Sequence, residues 1–251
     1  MNKKPKISVI MATRNSEMFV DFSVQSIVDQ TYDNFEFLII DDGSSDNTFK
    51  LLEEHSRIDR RIILFKNKKS VGLTKCLNFL LKKSTGNFVA RMDSDDISFK
   101  DRFQKQINFL KEKEYFLVGG NALRIDLNGN VFHKTNVPLD NKQIKTHAIF
   151  ENPFIHPSIM FKKNDILYNE KFQTTQDWEM YIQIFKKGKV KNLSDFLIKQ
   201  RIHSKSMSSS KRSLQIENSI KVQKSYLKDL SSKHISSPFL KKLNRTILNH
   251  K

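Results

Sequence analysis

The sequence predicts an α/β fold: a mostly parallel sheet flanked by helices, followed by a helical appendage. Two observations carry this. Short apolar runs alternate with helical apolar stripes through the first 120 residues, the pattern of repeated strand–helix units. From residue 205 onward the chain turns Ser- and Lys-rich and then strongly basic.

The elements follow in order. Ile7–Met11 reads as a buried strand, and Met18–Gln30 as a helix with Phe19, Phe22, Val24, Ile27 and Val28 on its apolar stripe. Phe35–Ile40 is a second buried strand, and Thr48–Ser56 a helix with Ser45 or Asp46 as its cap. Ile62–Phe65, Leu73–Lys83 and Phe88–Met92 continue as strand, helix and strand, and Asp101–Lys113 closes the series as a helix. Beyond Gly120, Ala122–Asp126 and Asn130–Lys134 flank Asn128-Gly129, a hairpin signal. A short helix is expected near Lys142–Ile149, a strand at Ser158–Phe161, and a helix from Asp177 to about Lys187. Two short strands at Lys189–Leu193 and Phe196–Ile202 complete this part. Leu214–Leu230 and Phe239–Leu248 then have helical spacing with basic faces.

In parallel sheets, ligands bind beyond the carboxyl ends of the strands. Three such ends are polar here: Thr13–Asn15, Asp41–Ser44 and Asp93–Asp96. Asp93 and Asp95, spaced i, i+2 at a strand exit, suit a hard divalent ion, which takes oxygen ligands from one or two carboxylates and from substrate phosphates. Asp96 and Asp101 read as caps of the following helix. His55, His133, His147, His234 and His250 lack partners at ligand spacing and read as surface residues, whereas Met11, Met92 and Met160 read as core.

Composition narrows the function. The 251-residue chain carries a formal charge of +17, so it is attracted to something anionic. Nucleic acid is a rival partner on that ground. No binding motif appears, however, and aromatics do not interleave with the basic tail as stacking platforms would. A second rival is another nucleotide-dependent enzyme on an α/β sheet, such as a nucleotidyltransferase or dehydrogenase; against it, none of the seven glycines forms Gly-x-Gly-x-x-Gly or a P-loop. No apolar stretch approaches the ~20 residues of a membrane span, and the first apolar run is too short for a signal-peptide core. The single Cys76 excludes an internal disulfide and fits a reducing cytoplasm.

With these acids in view, the chain resembles a family 2 glycosyltransferase of the GT-A fold, the inverting type that builds bacterial surface polysaccharides. The matching pieces are Ile7–Asn15, Ser26–Thr31, Phe35–Asp46, Gly86–Asp96, Asn152–Phe161, Gln176–Met180 and Arg201–His203, in the family's order. The resemblance implies a catalytic domain over 1–209, with a nucleotide-binding half to about 120 and an acceptor-binding half over 121–209. The basic helical extension over 210–251 lies outside it.

It further implies a nucleotide-sugar donor, a UDP-sugar by preference, a glycan or lipid-linked glycan acceptor, and a divalent metal, Mn²⁺ or Mg²⁺. Thr13, Asn15, Asp41, Asp42 and Asp93 match nucleotide-binding positions. Asp93, Asp95 and His203 match metal positions, and Asp177 matches the catalytic base. Many relatives have Glu-Asp where this chain has Gln176-Asp177, so one carboxylate that orients acceptor or sugar is missing. His156 is read either as an acceptor contact or as a support for residues that make one. Trp178 is read either as a platform for an acceptor sugar or as a core aromatic.

Between Lys205 and Lys251, eleven Lys and Arg residues face only Glu217 and Asp229. This tail is read either as packed on the catalytic domain or as a contact with an anionic membrane, where each Lys or Arg is worth about 1 kcal/mol. The expected location is the cytoplasm, at the inner face of the cell membrane in the second case. Oligomerisation is left open.

Overall fold

The computed structural model describes residues 4–112, 114–203 and 212–232. The expected helix at Phe239–Leu248 and the expected linker from Lys205 lie outside these residues.

The first half contains β1 (Ile7–Thr13), α1 (Val20–Val28), β2 (Phe35–Asp41), α2 (Thr48–Ile58), β3 (Ile62–Lys66), α3 (Leu73–Lys83) and β4 (Phe88–Arg91). Strands β1, β2 and β4 are buried along their whole length. Both of their faces are covered, which is why they read as continuous apolar runs and not as alternating ones. Side chains still alternate between faces: Ile10 and Ala12 join one core cluster, Val9 and Met11 the other. These strands run parallel in the order β3-β2-β1-β4. The order therefore reverses at β1 and β4, the place where open α/β sheets form their binding crevice.

The second half contains β5 (Ile97–Ser98), α4 (Arg102–Leu110), β6 (Tyr115–Ile125), β7 (Val131–Lys134), α5 (Asn141–His147), a 3₁₀ turn (His156–Ser158), β8 (Met160–Lys162), α6 (Gln176–Ile184) and β9 (Lys189–Arg201). It extends the same sheet as β4-β8-β6-β9-β5, with β7 paired to β6. Here the pairing is mixed: β8 is antiparallel to both β4 and β6, while β6 and β9 are parallel. The parallel expectation thus holds for the first four strands, and β8 joins the two halves.

Two details differ from the sequence reading. The expected pair of strands after α6 is one strand, β9, because β6 pairs alongside it throughout, with register shifts around Gly120, Asn121 and Ala122. The two-residue β5 was invisible, since only its pairing with β9 defines it. The Asn128-Gly129 hairpin is present, with Gly129 at φ +88°. Helix α5 opens with a full capping box between Asp140 and Gln143.

Helix α7 (Arg212–Ser232) packs on the body through Val222, Tyr226 and Leu227, which belong to one of the two core clusters. Asn218 donates to the Thr174 carbonyl and hydroxyl, Gln223 to the Phe150 carbonyl, and Lys186 pairs with Asp229 at 2.6 Å. For this stretch of the basic tail, packing on the catalytic body is what the structure contains. No described helix is long and apolar enough to cross a membrane.

Candidate active site

The polar strand ends converge at the carboxyl edge of the sheet. The Asp42 amide donates to the Thr13 carbonyl at 2.8 Å, tying the loops after β1 and β2. Asn15, in the left-handed region at φ +52°, accepts from the Ser45 amide, while its own amide donates to Ser44 Oγ. Asn adopts that backbone readily. Ser16 Oγ lies 2.8 Å from Ser94 Oγ, and Ser23 Oγ donates to the Asp93 carbonyl at 2.7 Å. The loop after β1 is thereby bound to the aspartate-rich turn after β4.

Asp42 accepts four hydrogen bonds, two per oxygen, from Asn67 Nδ2, Ser70 Oγ and the amides of Val71 and Gly72. Burial alone would raise its pKa, but these donors together hold the carboxyl below its ordinary value. Its carboxylate shapes the 67–72 loop. Gly43, at φ +70°, lets that loop approach: a Cβ there would sit 3.0 Å from the Ser70 amide nitrogen.

Two residues expected at the nucleotide have their side chains turned into the protein. Asp41 is buried and turned inward onto the Ser44 hydroxyl and amide, closing an Asx-type turn. Thr13 is also buried, and its hydroxyl lies inside the protein without a partner. What Thr13 offers the loop is its carbonyl.

The aspartates after β4 have three different surroundings. Asp93 accepts from Arg91 Nη2 at 2.5 Å and remains one-third exposed. Asp95 meets His203 Nε2 at 3.0 Å across 108 residues of chain. Burial, and then the Asp93 charge, raise the Asp95 carboxyl, with His203 opposing them. Asp96 is 2% exposed and accepts from the Arg201 amide at 2.8 Å. Burial, then the Asp95 and Asp93 charges, push it well above the ordinary carboxylate range.

The expected helix-cap role of Asp96 is therefore wrong, because its carboxylate fastens the end of β9. Asp101 does occupy the N-cap position of α4, but its side chain makes no capping bond. It pairs instead with Lys105 at 2.8 Å.

Arg201 completes the fastening. Its Nε donates to the Asp95 carbonyl, its Nη1 donates to the Asp126 and Leu127 carbonyls, and its guanidinium lies 4.5 Å from the Phe19 ring centroid. This anchorage brings His203, two residues on, beside Asp95. The sequence assigns Arg201 no role of its own beyond its place in the matching piece Arg201–His203, and only its proximity to the histidine hints at this one.

On the other side of the site, Asp177 sits in the first turn of α6, and its Oδ2 accepts from Asn152 Nδ2 at 2.6 Å. Burial raises its pKa, while the Asn152 bond, the local backbone and the Arg91 charge oppose that. Thr175, at the N-cap, has φ +65°, an outlier for a β-branched residue. Among the described residues, Asn15 and Thr175 are the non-glycine residues with positive φ, one in each half. Strain of this kind concentrates at functional sites.

Of the two acceptor-side candidates, one is buried and one is partly exposed. Trp178 is 2% exposed and its Nε1 donates to the Ala148 carbonyl at 3.2 Å, so it is a core residue and not a sugar platform. Its position one residue from Asp177 on α6 turns it into the protein. His156 lies in the 3₁₀ turn with Nε2 2.8 Å from the Tyr168 hydroxyl. Burial, aided by the Arg91 charge, holds it well below the ordinary histidine pKa. That bond ties it to Tyr168, while the residue itself remains partly exposed. His55 also has a partner that spacing did not reveal, Asp21 at 3.0 Å.

The residues present fit a hard divalent ion held by few protein ligands. Asp95 and His203 are already adjacent, and like-charge repulsion between Asp93 and Asp95 would be relieved by a cation. Among the described residues no group of three or more ligating side chains converges. The remaining positions would come from substrate oxygens and water, the usual arrangement for Mg²⁺ at phosphates.

The fold is of the GT-A class. It matches S. aureus TarS 1-349 in complex with UDP-GlcNAc at a TM-score of 0.72 and 20% identity, over 97% of this chain and 72% of that one. It matches the mannosyltransferase PcManGT from Pyrobaculum calidifontis, in complex with GDP-Man and Mn²⁺, at 0.64 and 14%, over 98% and 80%.

The family model "Glycosyl transferase family 2" matches residues 8–180, and the chain belongs to that family of glycosyltransferases. It is 34% identical to the Escherichia coli O-antigen biosynthesis glycosyltransferase WbnJ, over 80% of this chain and 81% of that protein. It is 30% identical to the Erwinia amylovora amylovoran biosynthesis glycosyltransferase AmsE, over 78% and 76%.

Proposed function

We propose that the protein transfers a sugar from a UDP-sugar to a hydroxyl of a glycan or lipid-linked glycan acceptor, with inversion at the anomeric carbon, in the assembly of a bacterial surface polysaccharide such as capsule or lipopolysaccharide. The observation that carries this reading is the Asp95–His203 contact, which puts an oxygen and a nitrogen ligand together at the switch point of the sheet. Relatives that build O-antigen and amylovoran support the product class. A neighbour holding UDP-GlcNAc supports the donor class.

In this reading the nucleotide lies on the ledge formed by Asn15 and by the loop that Asp42 holds. Asp95 and His203, with Asp93 beside them, hold a Mn²⁺ or Mg²⁺ ion, which when bound offsets the charge of the departing diphosphate. Asp177 takes the proton of the acceptor hydroxyl as its oxygen bonds to the anomeric carbon and the carbon–phosphate-oxygen bond breaks. Its raised pKa suits a base, because proton affinity rises with pKa, and Asn152 orients the carboxylate. The catalytic domain spans 1–209, and the basic tail, with Arg212 and Lys228 exposed among its described residues, brings it to an anionic membrane at the inner face of the cell.

The test is a calorimetric titration with UDP, with and without Mn²⁺, on the wild type and Asp95→Ala. Metal-dependent binding that Asp95→Ala abolishes is the expected result. Absence of binding under every metal condition would turn the search to CDP-, GDP- and TDP-linked donors.

A further inference from the structure

Two fully buried arginines lie under the aspartate-rich turn. Arg102 is well accommodated: Nη2 donates to the Arg91 and Ile159 carbonyls at 2.8 and 3.1 Å, and Nε to Gln106 Oε1 at 3.1 Å. Arg91 is not. Its Nη2 holds Asp93, but its Nε and Nη1 are buried with no hydrogen-bond partner. A guanidinium removed from water on these terms needs nearby anionic charge.

The direction of the side chain indicates where that charge lies. Residues alternate across β4, so Arg91 shares the face of Val89. Val89 belongs to the cluster that contains Tyr168, Trp178 and Tyr181. Arg91 therefore extends toward the first turns of α6. There the Tyr181 hydroxyl and Gln176 Oε1 are also buried without partners, and Asp177 has a single side-chain donor. The Arg91 charge is felt at Asp177, Tyr168, Tyr181 and His156. It opposes the upward effect of burial at Asp177, Tyr168 and Tyr181, and adds to the downward effect at His156.

We propose that Arg91 is a positioning residue shared by the two sides of the site, holding Asp93 through Nη2 and presenting the same buried cation to Asp177. One guanidinium then sets the orientation of a donor-side carboxylate and of the acceptor-side base. Being wholly buried, it acts through these residues and not on substrate. The proposal rests on the glycosyltransferase reading for the roles of Asp93 and Asp177.

The test is a double-mutant cycle on the full chain, combining Arg91→Met with Asp177→Asn and, separately, with Asp93→Asn, read as the shift in urea unfolding midpoint. In both cycles the double variant is expected to lose less than the sum of the single losses. Arg91→Lys, which keeps a cation, is expected to recover part of the midpoint that Arg91→Met loses. If Arg91→Met does not fold, Arg91→Lys takes its place in both cycles with the same expectation. Additive losses with Asp177→Asn overturn the proposal, whatever the Asp93 cycle gives. The UDP and Mn²⁺ titration of the wild type separates the two readings: failure to bind UDP overturns the UDP-sugar donor of the proposed function, and additivity sinks the Arg91 proposal.

Discussion

Asp42 and Asp177 belong to opposite halves of the chain, and the fold treats their carboxylates in opposite ways. Four donors surround Asp42, two from the backbone, and they hold it ionised below its ordinary pKa. Asp177 has one side-chain donor and is raised by burial. Hydrogen bonds to the charged form favour it, and desolvation opposes it; each carboxylate shows a different winner. The first half is built to hold a loop still. The second leaves a carboxylate able to accept a proton.

The largest expected effect tests the second half. Asp177→Asn should lower transfer by roughly 10²–10⁴-fold, the range of a general base, while UDP affinity stays within about twofold. Steady-state turnover of the UDP-sugar found by screening, alongside a UDP titration, checks this. Full activity in the variant would remove Asp177 from the mechanism.

Next in size, Asp42→Ala should destabilise the protein by about 3 kcal/mol, since it strands several donors that were satisfied by a charged acceptor. Urea unfolding measures this, and UDP affinity should fall with it. A loss no larger than that of an exposed Asp→Ala change would mean that the 67–72 loop does not depend on Asp42.

The pH dependence of stability should carry opposite signs in the two variants. Asp42 has a folded pKa below its unfolded value, so its contribution is present above about pH 3.9 and disappears as pH falls through the folded pKa. The deficit of Asp42→Ala should therefore shrink in acid. Asp177 has a folded pKa above its unfolded value, so its contribution is full below about pH 3.9 and is lost as pH rises through the folded pKa. Asp177→Asn should accordingly gain on the wild type between pH 4 and pH 7. Unfolding curves taken from pH 7 to well below about pH 3.9 decide it, with the Asp177→Asn change falling above that value and the Asp42→Ala change below it. Parallel behaviour of the two variants would break the contrast.

The smallest effect concerns Trp178. Trp178→Phe loses one hydrogen bond to the Ala148 carbonyl and should cost about 1 kcal/mol with the acceptor KM unchanged. A tenfold rise in KM would return Trp178 to the acceptor site.

Much of the first half was legible because its signals are local. Buried parallel strands read as apolar runs, each ends in polar residues, and the turn chemistry of Asp41–Ser44 lies within a few positions. The second half was harder to read. Strand β5 exists through its pairing with β9, and the partners of Asp96 and Trp178 lie on other elements. The error over Asp96 shows the limit well. An acid just ahead of a helix reads as a cap from spacing alone, yet the group it meets is a backbone amide 105 residues away.

The order of strands and helices, the three polar strand ends and the Asp93–Asp95 spacing follow from the sequence, because periodicity and turn chemistry act over a few residues. Tertiary structure alone decided that His203 reaches Asp95, that Asp42 serves the 67–72 loop, and that Asp177 is held by Asn152. Burial and long-range pairing set the charge state and direction of a side chain, and both depend on where the rest of the chain has folded.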